Sequence, residues 1–506
     1  MTNEQAELNE IYLKLYEEVA QLRGDVYQEG QAIYASWQPD TLRADFKPAA
    51  LNFAYYVSLR RRDIRDLQIQ LGNVGLSSLG RLEGEVLQTL DLVLYQLGKS
   101  AGITDKLVAP EFLTKSLQGQ GSTLDQLTST FFGPSPANRY SRIMVTLPHE
   151  ASTDPELVEN MVKDGMNIAR INCAHDDATV WGKMVENIKA ASAKYQQGVK
   201  IFTDIAGPKV RIQAMYTSLQ NPKLYEGDTF FLTSETVLKD FYGAEIVLSC
   251  PIPDVIQDLQ VGEAVSLDDG KILGKVAKRY PEGVKIQISQ MAVNGKKVKA
   301  TKGINFPDRQ LNIPVLTDKD IEDLDFSMAA ADVIGFSFVH NVNDVKEINR
   351  VMADKETASP DQAGKLATIK LETVSGFENL INIIIEANRY RPTAIMIARG
   401  DLAVEVGYLR LSVVQEEILW FCEAAQIPVI WATQVLESLV QSGVPSRAEI
   451  SDVTMGSRAE CIMLNKGDHI LEGIHLLRQI LEDIDEHQFK KTPLMKQLTI
   501  ANFSNE

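Results

Sequence analysis

The sequence has no apolar run long enough to cross a membrane. Its most apolar stretch, Leu380-Ile381-Asn382-Ile383-Ile384-Ile385, falls far short of the roughly 20 residues that a spanning helix needs. Cysteine is scarce. The four present, Cys173, Cys250, Cys422 and Cys461, are scattered without metal-ligand spacing. That excludes a disulfide framework and a thiolate zinc centre, and reads as buried thiols in a reducing cytoplasm. Positive charge is in deficit, with 51 Lys and Arg against 68 Asp and Glu, a net charge of −17. Nucleic acid and anionic membrane are therefore excluded as main partners. Phosphorylated small molecules are not, because local basic groups decide their binding. The first residues, MTNEQAELNE, carry no apolar run, so no secretory leader is expected and the protein is placed in the cytoplasm.

What is present suits a large globular chain. Hydrophobic residues make up 44% and charged residues 24% of 506, enough for two to four domains with sizeable cores. Apolar residues recur at helical spacing in 8–21, 51–71 and 82–97, so 1–132 reads as a helical domain. The run Gly75-Leu76-Ser77-Ser78-Leu79-Gly80 suits a cap or tight turn between the second and third of these. The cluster Arg60-Arg61-Arg62 with Arg65 reads as a solvated helix face, with phosphate or partner binding as the alternative. Gly133-Pro134-Ser135-Pro136-Ala137-Asn138 then breaks the pattern, and 133–140 reads as a linker.

Beyond it, short apolar strands alternate with amphipathic helices. Strands are predicted over 142–147, 167–172, 200–204, 333–338, 367–372, 394–398, 428–433 and 461–464. Helices are predicted over 154–164, 178–193, 318–329, 342–352, 375–387, 411–425, 448–457 and from 471. Eight such units imply a closed (β/α)8 barrel of the TIM type, assigned to 141–212 and 307–487. The interruption at 213–314 carries alternating strands and turn signals such as Asp268-Asp269-Gly270 and Asn294-Gly295. It reads as a small β-barrel domain over 213–306, inserted in the third loop and placed to act as a lid. Residues 488–506 read as a tail. The fold class expected is therefore α/β: a TIM barrel, an inserted β lid and an α-helical N-terminal extension.

Function in such barrels sits at the strand C-termini. Two runs stand out there, Lys370-Leu371-Glu372 and Ala398-Arg399-Gly400-Asp401. Side chains two apart on a strand share a face, so Lys370 and Glu372 point the same way. If the two strands are parallel neighbours, Asp401 arrives beside Glu372. Two carboxylates then make half of a Mg²⁺ site, because Mg²⁺ takes one or two carboxylates and leaves its other positions to water and substrate oxygens. Arg170, Lys209 and Arg211 join Lys370 on the rim, against Asp204, Glu372 and Asp401. Such cations around a divalent ion suit a substrate carrying phosphate and carboxylate. An ordinary strand-end ion pair explains any one of these residues; their collection on one rim favours a functional site.

Several runs carry a resemblance. Gly165-Met166-Asn167-Ile168-Ala169-Arg170, Lys302-Gly303-Ile304-Asn305-Phe306-Pro307, Ala398-Arg399-Gly400-Asp401-Leu402, Trp431-Ala432-Thr433-Gln434-Val435-Leu436-Glu437-Ser438 and Ser446-Arg447-Ala448-Glu449 occur in that order. With them, residues from about 141 to 485 resemble the pyruvate kinase family. The resemblance implies transfer of phosphate from phosphoenolpyruvate to ADP, a glycolytic reaction giving pyruvate and ATP. It implies that Glu372 and Asp401 hold Mg²⁺ or Mn²⁺ and that Lys370 stabilises the phosphoryl group in flight. Arg170 would contact phosphate, Thr433 would help place the enolpyruvate, and Gly400 would meet its carboxylate. Arg211 and His175 would serve the nucleotide, and Asn172 and Asp204 fall on the monovalent-cation site. A homo-oligomer is compatible with it.

The departures carry expectations of their own. Ala174 removes an oxygen ligand for K⁺, Ile205 and Ala206 replace the usual threonine and lysine, and Lys209 stands where K⁺-dependent members carry glutamate. An ammonium there supplies the charge that K⁺ otherwise would, so activity without K⁺ is expected. The first-strand loop, Thr146-Leu147-Pro148-His149-Glu150-Ala151-Ser152, is one residue longer than usual. The eighth-strand loop, Asn465-Lys466-Gly467-Asp468-His469, lacks the family's serine and glutamate, leaving Asp468 or His469 to deliver a proton. The family's C-terminal domain is expected to be absent. The alternatives are the same chemistry on another enol phosphate, a pyruvate-derived enolate as in metal-dependent aldolases, or a silent homologue that binds a phosphorylated metabolite.

Overall fold

The computed structural model describes residues 3–103, 123–309, 311 and 313–493. Parts of the expected helical stretch (104–122) and of the expected tail (494–506) lie outside the described residues. Eight parallel strands close into a barrel in chain order. They are Arg142–Thr146, Ile168–Asn172, Lys200–Ile205, Val333–Phe336, Leu366–Leu371, Thr393–Ala398, Val429–Ala432 and Cys461–Leu464. These strands are buried almost throughout, as continuous apolar runs covered on both faces must be. Closure is direct: the first strand pairs with the eighth, Arg142 opposite Cys461.

The outer helices lie where periodicity placed them, with one division. The helix expected over 375–387 is two, Val374–Glu378 and Leu380–Ala387. Between them Asn379 donates from Nδ2 to the His340 and Ser375 carbonyls, which ties the break to the rim. A further helix, Arg399–Val406, starts directly at the end of the sixth strand.

The third loop carries a curled seven-stranded sheet with edges at Ile304–Asn305 and Met215–Thr217. It has its own core, built on Phe230, Leu232, Ile286 and Phe306. All its pairings are antiparallel except Thr229–Thr233 beside Ile246–Ser249.

The N-terminal region is helical at Asn3–Ser36, Lys47–Arg60, Arg65–Asn73, Val86–Ser100 and Thr123–Phe132. The periodic stretch 51–71 is thus broken near Asp63, whose side chain accepts from the Arg65 amide two residues on and competes with the helix. The arginine cluster is not simply solvated. Arg61 and Arg62 pair with Glu29, Arg65 with Asp63, and Arg60 lies 4.7 Å over the Trp420 ring. Phe53 and Tyr56 meet Phe421 edge-on at 6.0 and 5.7 Å, which fastens this layer to the barrel helix Tyr408–Ala424. Phe131 and Phe132 join the apolar cluster of Met144, Ile168 and Phe202 inside the barrel.

Candidate active site

Three strands place one buried charge cluster at the barrel mouth. Asn172 and Asp204 are register partners on the second and third strands. Arg170, two residues before Asn172, lies on the same face and donates from Nε to Asp204 Oδ2 at 2.9 Å, with Nη2 on the same oxygen. Its Nη1 donates to Thr146 Oγ1 at 2.8 Å. Lys370 on the fifth strand reaches across, with Nζ 3.2 Å from Asp204 Oδ1 and 3.2 Å from Glu372 Oε1. It also donates to Ser337 Oγ at 2.7 Å. All four charged groups are buried.

Burial disfavours each charge, so the neighbours decide the ionisation. For Asp204, burial alone would raise the carboxyl; the charges of Lys370 and Arg170 outweigh it and hold it below the ordinary range. For Lys370, burial would lower the ammonium; Asp204 and Glu372 outweigh it and keep it protonated. Glu372 goes the other way. Burial, with Asp401 adding to it, raises its carboxyl against the pull of Lys370. Its Oε2 accepts from the Phe338 amide at 2.6 Å, and Phe338 adopts φ 57° to aim that amide.

The fifth and sixth strands are parallel neighbours, Lys370 opposite Met396, which carries Asp401 to the Glu372 side. Among the described residues there is no cluster of three or more His, Cys, Asp or Glu suited to a metal. The pair Glu372 and Asp401 fits an ion that completes its shell with water and substrate oxygens, as Mg²⁺ does. Lys209 does not join Asn172 and Asp204. Its Nζ lies 2.8 Å from Asp401 Oδ1 and 2.9 Å from Asp269 Oδ1 in the inserted sheet. Burial would lower this ammonium, but the two carboxylates raise it. Gly303 makes room for its path, since a Cβ there would stand 2.9 Å from Lys209 Cε.

Opposite the cluster, Thr433 sits at φ 66° in a run of left-handed residues with Gln434 and Leu436. Its Oγ1 accepts from the Gly400 amide at 2.7 Å, so that N–H already has a partner. Arg399 locks this arrangement. It donates to the Ala432 carbonyl at 3.0 Å and to the Thr433 carbonyl at 2.6 Å. Asp452 holds the same guanidinium, at 2.8 Å through Oδ2.

Arg211 and His175 are both exposed at the rim. Arg211 donates to the Thr301 carbonyl at 3.1 Å. Desolvation by the surrounding loops, then the charge of Lys466, lowers the His175 imidazolium. His149, from the lengthened first loop, pairs with Asp176 at 2.7 Å. Asp468 is exposed, and His469 packs on Gly443 beside Glu472.

Sequence reasoning missed Ser337, Phe338, Arg399 and Asp452 as supports of the site. Ser337 and Phe338 follow a barrel strand, which was the available signal. Arg399 and Asp452 both lie in runs that carry the resemblance, Asp452 in Ser451-Asp452-Val453, but 53 residues apart nothing in the sequence pairs them.

The chain is similar to known proteins over its barrel and inserted sheet. The family model described as "Pyruvate kinase, barrel domain" matches residues 138–469. A pyruvate kinase of Mycobacterium intracellulare is 30% identical over 369 residues, 71% of this chain and 72% of that protein. One of Bacillus licheniformis is 30% identical over 69% of this chain and 57% of its own length. One of Thermotoga maritima is 29% identical over 65% of this chain and 68% of its own length.

Proposed function

The chain belongs to the pyruvate kinase family, and from that premise we propose that it transfers the phosphoryl group of phosphoenolpyruvate to ADP. The P–O bond to the enolpyruvate oxygen breaks, and a new one forms to a β-phosphate oxygen of ADP. The enolate then takes a proton at its terminal carbon to give pyruvate. Glu372 and Asp401 would hold a divalent ion, Mg²⁺ or Mn²⁺, which supplies positive charge to the phosphoryl oxygens when bound. Lys370 and Arg170 bring two further cations to those oxygens, in a dry site where each counts for more than in water. Thr433, fixed against Gly400, positions the enolpyruvate. Arg211 and His175 face the nucleotide. The inserted sheet acts as the lid, and the protein works in the cytoplasm.

We read the reaction as independent of K⁺. Asn172 and Asp204 mark the region where a monovalent ion would bind, while Lys209 brings a permanent charge to Asp401 on the same rim. The observation that carries the whole reading is the Lys370 ammonium, buried and paired with the Asp204 and Glu372 carboxylates. A coupled assay for pyruvate formation tests it. Turnover by the wild type and its loss in Lys370→Met support the reading; no turnover of phosphoenolpyruvate rejects it.

A second reading keeps this chemistry on another enol phosphate. It is favoured by the eighth-strand loop, where Asn465 donates to Glu437 Oε2 at 3.2 Å and His469 is packed on Gly443. Turnover of a different enol phosphate, with none of phosphoenolpyruvate, would select it.

A further inference from the structure

The inserted sheet joins the barrel through two roots. The chain leaves at the end of the third strand, Lys200–Ile205, and returns at Thr317, the cap of the helix Asp318–Ala330. One carboxylate touches both roots. Asp320 is 1% exposed. Its Oδ2 accepts from the Thr317 amide at 2.8 Å and from Thr317 Oγ1 at 2.7 Å, and its own amide donates to Thr317 Oγ1 at 3.2 Å. That much is a capping box, which satisfies the first amides of its own helix. The other oxygen goes elsewhere. Oδ1 accepts from the Gly207 amide at 3.1 Å, from a residue 113 positions back in the chain. A cap needs no such partner. The bond closes the neck of the insert, because Gly207 lies on the outgoing root and Thr317 on the returning one.

Gly207 is also where the neck meets the site. It stands at φ 68°, and a Cβ there would lie 2.8 Å from Ser337 Cβ and 3.0 Å from the Ser337 carbonyl oxygen. Only glycine permits both. Ser337 Oγ donates to the Ile205 carbonyl at 2.7 Å, which fixes its proton. Its lone pairs are then left to Lys370, whose Nζ donates to it at 2.7 Å. Two residues beyond Gly207, Lys209 gives its amide to the Gly207 carbonyl at 2.9 Å and its ammonium to Asp401. The short root 205–209 therefore bears on Lys370 through Ser337 and on Asp401 through Lys209.

The geometry points to Asp320 as a positioning residue that anchors this root at Gly207, so that movement of the inserted sheet begins beyond Gly207 and leaves Ser337 and Lys370 in place. Asp320 bonds to Gly207 and Thr317 and not to Lys370, Glu372 or Asp401, so it acts only through the root. Without it the root is free to slide. Ser337, bonded to Ile205 and packed on Gly207, moves with it, and the Lys370 ammonium loses a fixed acceptor. The effect on rate rests on the phosphoryl-transfer reading; the anchor itself does not.

Asp320→Ala removes both bonds, and Asp320→Asn keeps the shape with one acceptor fewer. Thr317→Val is the control: it strips the hydroxyl from the cap and leaves the Gly207 bond. Two readouts on the full chain need no turnover. They are hydrogen exchange over 205–210 and the rate at which acetic anhydride acylates the buried Lys370, each followed by peptide mass spectrometry. Exchange is expected to quicken about tenfold in Asp320→Ala, as loss of a hydrogen bond to a charged group implies. Lys370 labelling quickens with it, and both stay at wild-type rates in Thr317→Val. In the pyruvate assay kcat falls about tenfold through lost positioning, with KM for phosphoenolpyruvate within about twofold of wild type. Asp320→Asn falls between, and it decides if the alanine variant does not fold. Unchanged exchange or labelling in a folded Asp320 variant, or an equal change in Thr317→Val, overturns the inference. So does a wild-type kcat in a variant whose root exchanges faster. Faster exchange and labelling, with no turnover of phosphoenolpyruvate by the wild type, rejects the phosphoryl-transfer reading and supports the anchor.

Discussion

Lys209 donates from Nζ to Asp401 Oδ1 at 2.8 Å, so the segment leading into the lid is pinned to a carboxylate of the proposed metal pair. The same ammonium holds Asp269 at 2.9 Å, inside the lid itself. One side chain therefore links barrel, linker and lid.

That charge predicts turnover in buffer free of Na⁺ and K⁺. Lys209→Glu should lose activity there and regain part of it when KCl is added. The pyruvate assay with and without KCl decides; a strict K⁺ requirement in the wild type would sink the idea.

Lys370→Met should lower kcat by about 10²–10³-fold, the usual cost of removing one preorganised charge from a phosphoryl or oxyanion site. Phosphoenolpyruvate binding should weaken less, because Arg170 keeps its own hold on Asp204. Wild-type kcat in a folded Lys370→Met would reject the role given to Lys370.

Asp452→Ala should act on both stability and rate. It leaves the buried Arg399 guanidinium without its carboxylate, at a cost of about 3 kcal/mol. It also frees the Thr433 carbonyl to shift, and kcat should fall about tenfold with the loss of positioning. A urea melt unchanged from wild type would show that the pair does not hold this loop.

Glu29 predicts a pH dependence in the helical layer. Hydrogen bonds from Arg61, then from Arg62, hold its carboxyl at about 2 against an ordinary 4.5. A depressed carboxyl contributes stability that is present above the unfolded value and lost as pH falls through the folded one. The gap between wild type and Glu29→Gln should therefore be full at pH 7 and close between about pH 4.5 and 2. Melts at a series of pH values check it; a gap that widens on acidification would contradict the assignment.

Phe53→Ala should loosen the helical layer from the barrel. The ring is fully buried, stacks on Trp37 at 5.6 Å and meets Phe421 edge-on. A loss of about 3–5 kcal/mol is expected for such a truncation. Trp37 fluorescence reports the change locally. An unaltered melt would mean that the layer is held elsewhere.

Much of the barrel was legible because its strands are short apolar runs between helices of clear period. The eighth strand, 461–464, falls where the sequence places it, and the others differ by a residue or two at their ends. The site was legible through spacing. Lys370 and Glu372, two apart on a strand, share a face and come within 3.2 Å. The inserted sheet was legible through its turns and through the interruption of the repeat.

The arginines at 60–62 show what local pattern leaves out. Arg60 and Arg61 are exposed, as charge on a helix suggests, but Arg60 also lies over Trp420, and Arg61 and Arg62 meet Glu29 from another helix. Lys209 shows the same limit. The family resemblance grouped it with Asn172 and Asp204; a lysine stem reaches several ångströms, and here it passes close to Gly303 and ends on Asp401.

The sequence by itself determined the alternation of strand and helix, the place of the insert and the residues at each strand end. These follow from periodicity, which acts over a few neighbouring positions. Only the tertiary structure decided which charges pair: Arg170 with Asp204, Lys209 with Asp401, and Arg399 with Asp452. Those choices depend on barrel closure and on the lid's seat against the rim. A charge pairs with whatever the fold brings within reach, however far away in the chain.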